Sequence, residues 1–99
     1  MATLHVALQE GFSADRVIVR VNGAEIANRP TVTTRNQIGL AETVEVEVPA
    51  GHLQLEVELP SRGLKRATDV AVEGKTYVGA SVEQGQLQLT EQREAFRYL

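Results

Sequence analysis

Apolar and polar residues alternate strictly along much of the chain, most clearly over residues 43–60. Every second position there is apolar, first at Val44, Val46 and Val48 and then at Leu53, Leu55, Val57 and Leu59. Side chains of a strand point alternately to opposite faces, so each run predicts a strand with one apolar face. The break between the runs, residues 49–52, reads Pro-Ala-Gly-His and has the composition of a turn. The two runs together predict a central β-hairpin.

The predicted central hairpin has a definite register, because its two apolar faces must coincide. A four-residue loop sets Val48 opposite Leu53 on the inner face. The same register sets Glu45 opposite Glu56 on the outer face, and like charges directly opposite each other destabilise a strand pair. We therefore expect the outer face to need relief from basic side chains or from a partner. Arg20, Arg35, Arg62 or Lys65 from flanking strands could provide this relief.

Two dipeptides predict further hairpins with two-residue turns. Asn22-Gly23 is the strongest short hairpin signal, since both residues tolerate positive φ, and it sets Val19 opposite Ile26. Gln84-Gly85 sets Val82 opposite Leu87 in the same way.

Two other segments shape the strand prediction. A three-residue loop around Gly74 predicts a hairpin with Val70 opposite Val78. Pro30 predicts the end of the strand that follows Asn22-Gly23, because proline cannot donate to a strand ladder.

The strand pattern as a whole predicts the fold class. Seven or eight short strands are joined by turns every 8–12 residues, with no helix-period segment of useful length, which is typical of an all-β sandwich or small barrel. We predict a single antiparallel β-sandwich over residues 1–99, immunoglobulin-like or prealbumin-like. Its tail, residues 91–99, is expected to pack on the sandwich or on a partner.

Composition excludes several classes of function. The 99 residues have a net charge of −3 and no extended basic cluster, which argues against nucleic-acid binding. The chain has no cysteine, and therefore neither disulfides nor thiolate chemistry. It contains neither an apolar run long enough to span a membrane nor a leader-like start, so we expect a cytoplasmic protein without membrane contact. A secreted protein given without its leader has the same appearance.

Motifs for catalysis are missing from the sequence. There is no G-x-S-x-G elbow, no Gly-rich phosphate loop and no cysteine nucleophile. His5 lies mid-strand on a polar face and His52 lies at the tip of the predicted central hairpin, so the two are interpreted as separate surface residues. Two histidines without a nearby acidic partner are also a poor metal signature. We expect no enzymatic activity, no metal and no cofactor.

The acidic outer face is the first candidate site for a partner. It consists of Glu45, Glu47, Glu56 and Glu58. A solvated face neutralised by neighbouring strands is the favoured interpretation. A surface for a cation or a basic partner comes second, and a general acid/base pair comes last because that chemistry needs a cleft.

Two further segments are candidate sites. Residues 31–37 offer hydroxyls and a guanidinium for a small ligand, on Thr31, Thr33, Thr34 and Arg35, although ordinary polar strand edges look the same. The tail contains Phe96, Tyr98 and Leu99, apolar side chains that are costly to leave in water and therefore candidates for partner contact.

Three short segments together resemble a known family. V-I-V-R-V-N-G at residues 17–23, V-P-A-G-H-L-Q-L-E-V at 48–57 and V-E-G-K-T-Y-V at 72–78 are similar to motifs of PEGA-type domains. Those belong with the carboxypeptidase-regulatory-like and prealbumin-like β-sandwiches. The chain departs from them after the central hairpin, where Ser61-Arg62-Gly63-Leu64 replaces the usual Gly-Tyr. The resemblance implies a non-catalytic accessory or binding module with no catalytic residues.

The sequence therefore predicts a non-catalytic binding or assembly module. It would act through an edge strand or through the aromatic tail, on a protein partner or on a second copy of itself as a homo-oligomer. The alternative is a carbohydrate-binding or small-ligand-binding module that uses the loops around residues 31–37.

Overall fold

The alternating segments form eight strands in two four-stranded sheets, in a computed structural model that describes residues 2–34 and 42–92. The first sheet has the order β4-β1-β7-β8 and contains β1 (Ala2–Leu8), β4 (Glu42–Val48), β7 (Lys75–Glu83) and β8 (Gln86–Gln92). The second sheet has the order β3-β2-β5-β6 and contains β2 (Asp15–Val21), β3 (Ala24–Val32), β5 (Gly51–Leu59) and β6 (Leu64–Val72). The predicted all-β sandwich is confirmed.

The core lies between the sheets and consists of the alternating apolar residues. The side chains that are fully enclosed come from both sheets and include Leu4, Val6, Leu8, Val17, Val19, Leu55, Val57, Leu59, Val70, Val72 and Val78. Phe12, 3% exposed, joins this cluster from the connection between β1 and β2. Each fully buried side chain of this size contributes about 1.5–3 kcal/mol, so this cluster is the main source of stability.

The prediction of a central hairpin is wrong. β4 pairs with β1 in the first sheet, whereas β5 pairs with β2 and β6 in the second. Residues 49 and 50 therefore carry the chain across the sandwich instead of turning it back within one sheet. Both apolar faces still point to the core, because two facing sheets satisfy the same alternation as two paired strands.

The predicted hairpin around Gly74 is wrong for the same reason. β6 ends in the second sheet and β7 begins in the first, so Val70 and Val78 are both buried but do not pair. The hairpin partner of β6 is β5, joined to it by a 3₁₀ turn at Pro60–Arg62 and by Gly63 in the left-handed conformation.

The hairpins at the two dipeptide turns are confirmed. Asn22 and Gly23 have φ values of 51° and 83°, and Gln84 and Gly85 have 52° and 75°, as a two-residue turn of the primed type requires. Val82 lies opposite Leu87 as predicted.

The register of β2 and β3 differs from the prediction. A register shift places Val19 opposite Ala27 instead of Ile26. A second shift lies near Pro30, through which β3 continues to Val32, and an edge strand with bulges tolerates a proline that a central strand would exclude.

One strand pair departs from the antiparallel pattern. β1 and β7 run parallel, with His5 opposite Tyr77 and Val6 opposite Val78. This pair forms the centre of the first sheet.

Several candidate residues lie outside the described residues 2–34 and 42–92. They are Arg35 of the proposed ligand loop and Phe96, Tyr98 and Leu99 of the tail.

Candidate interaction surface

The acidic residues of β4 and β5 lie on opposite outer faces of the sandwich. Glu45 lies opposite His5 of β1, with 3.7 Å between His5 Nδ1 and the carboxylate. Glu56 lies opposite Arg20 of β2. The predicted opposition of Glu45 and Glu56 is therefore wrong, and the repulsion expected from it does not arise.

Arg20 neutralises the two acidic residues of β5. Its Nη1 donates to Glu56 Oε2 at 2.7 Å and to Glu58 Oε1 at 2.8 Å. The hydrogen bond from Arg20 to Glu58, and to a lesser extent the one to Glu56, raises the pKa of the guanidinium above its usual value. The interpretation of a solvated, internally neutralised face therefore describes Glu56 and Glu58, whereas Glu45 and Glu47 remain exposed on β4.

The hydroxyls of Thr33 and Thr34 bind the chain's own connection between β1 and β2. Thr34 Oγ1 donates to the carbonyl of Gln9 at 2.6 Å and accepts from the Phe12 amide at 3.0 Å. Thr33 Oγ1 accepts from the Ala14 amide at 2.9 Å. These two candidate ligand hydroxyls thus hold residues 9–14 in place, while Thr31 is exposed on β3.

An ion pair between the half-exposed Arg62 and the buried Asp15 also anchors this connection. Asp15, 3% exposed, accepts from Arg62 Nε at 2.9 Å and Nη2 at 2.7 Å, and also from the Ser13 amide at 2.8 Å. Arg62 Nη2 reaches the carbonyl of Gly11 as well, at 3.0 Å. Sequence reasoning missed this pair, since 47 positions separate its members and no local pattern links them.

An aromatic pair lies on the outer face of the first sheet. The rings of His5 and Tyr77 stack with their centroids 4.6 Å apart and an angle of 18° between their planes. The side chain of His5 is 18% exposed, and its Nε2 is enclosed without a hydrogen-bond partner in the described part of the chain. His5 therefore lies on the outer face, as a surface histidine would, but it is partly buried and packed against Tyr77. Only the parallel pairing of β1 and β7 brings these two residues together, 72 positions apart.

The edge of β8 is the least protected sheet edge among the described strands. β3 contains Pro30 and two register shifts, β4 carries alternating glutamates, and β6 carries Lys65, Arg66 and Asp69. Such features discourage pairing with another chain. β8 reads Gln-Leu-Gln-Leu-Thr-Glu-Gln and pairs with β7 without a register shift.

The surface of residues 2–34 and 42–92 includes two shallow depressions. One, of about 160 Å³, lies between the starts of β6 and β8 and is lined by Leu64, Lys65, Arg66, Gln86 and Leu87. The other, of about 430 Å³, lies at the turn end of the second sheet and is lined by Asn22, His52, Leu53, Gln54 and Asp69.

Two further kinds of site are absent from residues 2–34 and 42–92. No group of three or more histidine and acidic side chains lies close enough together there to hold a metal ion. None of the described segments is a helix with the length and apolarity needed to cross a membrane. Comparisons with protein-family models, curated proteins and solved structures each found no match for this chain. The resemblance to PEGA-type domains stays a prediction.

Proposed function

We propose that the protein is a non-catalytic assembly module that pairs with a second copy of itself along the free edge of β8. The observation that carries this proposal is an uninterrupted edge strand that lacks the usual protection. Glu91 is the one charged residue among the seven of β8, and none of them is proline.

The turn before β8 determines which backbone groups face outward. Glu83 and Gln86 flank the two-residue turn and form a hydrogen-bonded pair, and such pairs then alternate along an antiparallel ladder. The outward-facing N–H and C=O groups are therefore those of Leu87, Leu89 and Glu91. Within the described ranges, no strand pairs with this side of β8.

A two-fold arrangement centred on Leu89 uses all of these outward groups. An antiparallel copy of β8 then sets Leu89 opposite Leu89 of the second copy, and Leu87 opposite Glu91 of the second copy. Leu89 is half-buried against the core, so its contact with the same residue removes further apolar surface from water.

Charge complementarity also favours a second copy as the occupant. Arg66 lies on the same face of β6 as Val70 and Val72, but it is exposed. It lines the depression beside Leu87. In the arrangement centred on Leu89, the carboxylate of Glu91 from the second copy arrives beside this depression. The opposite charges meet twice, once at each end of the paired strands.

Sheet order supports the accessory-module interpretation. Immunoglobulin constant domains place their first, second, fifth and fourth strands in one sheet. Here β1 and β2 lie in different sheets, and β1 pairs with β4 and β7. Of the two kinds of sandwich predicted from the sequence, this order favours the prealbumin-like kind, with which PEGA-type domains are grouped.

Replacing the outward amide at Glu91 tests the proposal. Glu91→Pro removes one N–H from the free edge without removing a bond to β7, so the fold should persist while the dimer is lost. Sedimentation should show a dimer for the unmodified chain and a monomer for Glu91→Pro, with similar circular dichroism.

Glu91→Gln is the matched control, because it retains the amide and removes only the charge. It should remain dimeric with modestly weakened affinity. A monomeric unmodified chain would overturn the proposal, and so would equal losses from Glu91→Pro and Glu91→Gln, because the contact would then depend on a side chain.

A further inference from the structure

The outer face of the first sheet is enclosed at its centre, although the other sheet packs on the opposite side. Ala7 is 4% exposed, and Gly79 beside it is buried. The imidazole of His5 is 18% exposed, with Nε2 enclosed and lacking a hydrogen-bond partner in the described part of the chain. A solvated sheet face does not produce this combination, because water would reach the imidazole and satisfy it.

Part of this cover comes from neighbouring side chains. The Gln9 side chain lies over Gly79, where an added Cβ would fall 2.6 Å from its Oε1. Tyr77 covers one face of the His5 ring. Neither provides a hydrogen-bond partner for His5 Nε2.

We propose that this face is the docking site of residues 93–99 of the same chain. Their sequence is Arg-Glu-Ala-Phe-Arg-Tyr-Leu, which contains two aromatic residues and a leucine. β8 ends at Gln92, opposite Tyr77, and Tyr77 lies opposite His5. The segment thus starts two strands away from the enclosed imidazole.

The length of the segment matches the width of the face. Crossing from β8 over β7 and β1 to β4 requires about 14 Å, at roughly 4.8 Å between strands. Seven extended residues span at most about 25 Å. Phe96 can therefore reach the neighbourhood of His5, and Arg97 can reach β4.

Charge favours the same placement. The outer face of β4 exposes Glu45 and Glu47, and the segment contains Arg93 and Arg97. On the second sheet, by contrast, Glu56 and Glu58 are already bound by Arg20. Arg97, which can reach β4, would meet carboxylates there, whereas the carboxylates of β5 already have a guanidinium partner.

The proposal goes beyond assembly through β8, because it assigns the tail to its own sandwich. Of the two routes to a partner, the edge strand and the aromatic tail, it leaves the edge strand available for association.

Spin labels provide the first test, since the chain contains no cysteine and a single introduced thiol is unique. A nitroxide at Thr43→Cys, on the outer face of β4, should broaden the amide signals of Phe96 and Tyr98. The matched control is Gln54→Cys, exposed on the outer face of the second sheet, which should leave those signals unchanged. The reverse pattern would overturn the proposal, as would no broadening from either label.

Isotope mixing distinguishes docking within one chain from docking between copies. Thr43→Cys protein that carries the nitroxide, at natural isotope abundance, is mixed with ¹⁵N-labelled unmodified protein. No broadening of Phe96 and Tyr98 in the ¹⁵N chain is expected, and broadening would overturn docking within the chain. Dimerisation through β8 is measured separately by sedimentation, so the two proposals can fail independently.

The two histidines offer a test that needs no label. Phe96→Ser with Tyr98→Ser should shift the imidazole signals of His5 and leave those of His52 in place, because His52 lies in the second sheet. Unchanged His5 signals, or equal shifts at both histidines, would contradict the proposal.

Discussion

β4 and β5 have the same alternation of aliphatic residues and glutamates, but their positions in the fold differ. β4 is an edge strand of the first sheet, where Val46 is half-buried and the Glu45 side chain is 66% exposed. β5 is a central strand of the second sheet, where Val57 is fully buried and Glu56 binds Arg20. Alternation therefore specifies which side chains face the core, whereas the partner strand depends on the packing of the whole sandwich.

Truncating a matched valine in each strand should give the largest contrast. Val57→Ala is expected to lower the free energy of unfolding by about 2–3 kcal/mol, from lost burial plus an unfilled cavity. Val46→Ala should lower it by about 1 kcal/mol, because half of the side chain already contacts water. Urea unfolding measures both, and equal costs would contradict the assignment of β4 to an edge.

Removing one charge from each strand should change the unfolding midpoint less than these valine truncations do, and the sign of the change is informative. Glu56→Gln takes a partner from Arg20 and should lower the unfolding midpoint, more at low salt than at high salt. Glu45→Gln should leave the midpoint almost unchanged. If the two glutamates faced each other in a hairpin, both substitutions would raise the midpoint by removing repulsion, so the sign alone separates the two arrangements.

Introducing a hairpin dipeptide into the connection between β4 and β5 should have the smallest effect on stability. Ala50→Asn places asparagine before Gly51, the pair that turns the chain between β2 and β3. We expect a change of at most about 0.5 kcal/mol, since Ala50 is exposed. NMR contacts between Ala2 and Val48 should persist, and new contacts between Val48 and Leu53 would show that the local turn determines the strand partner.

Features that depend on neighbouring residues could be predicted from the sequence. The inward positions of Val17, Leu55 and Val70 follow from alternation, and the hairpins at Asn22-Gly23 and Gln84-Gly85 follow from the positive φ that their turns require. Both signals depend only on residues that are close together in the sequence. They remain valid whichever strands the rest of the fold places side by side.

Features that depend on distant residues could not be predicted. The stacking of His5 on Tyr77 requires a parallel pair, and Asp15 meets Arg62 only after two sheets have packed. Ala27 faces the core in place of Ile26 because of a bulge, and no pattern of residues in the sequence predicts that bulge. For the candidate site, edge strands can be recognised only when the strand order is known.

The parallel pair of β1 and β7 has a consequence for folding. It joins residues 3–8 to residues 75–80, while the second sheet is complete by residue 72. During synthesis, β2, β3, β5 and β6 can therefore associate while β1 still lacks the neighbour that places it at the centre of its sheet. Pairing over such a separation closes a long loop, which slows folding. β1 can pair with β4 early but gains its second neighbour only after β7 is made, and until then the apolar face of the second sheet has only part of its cover.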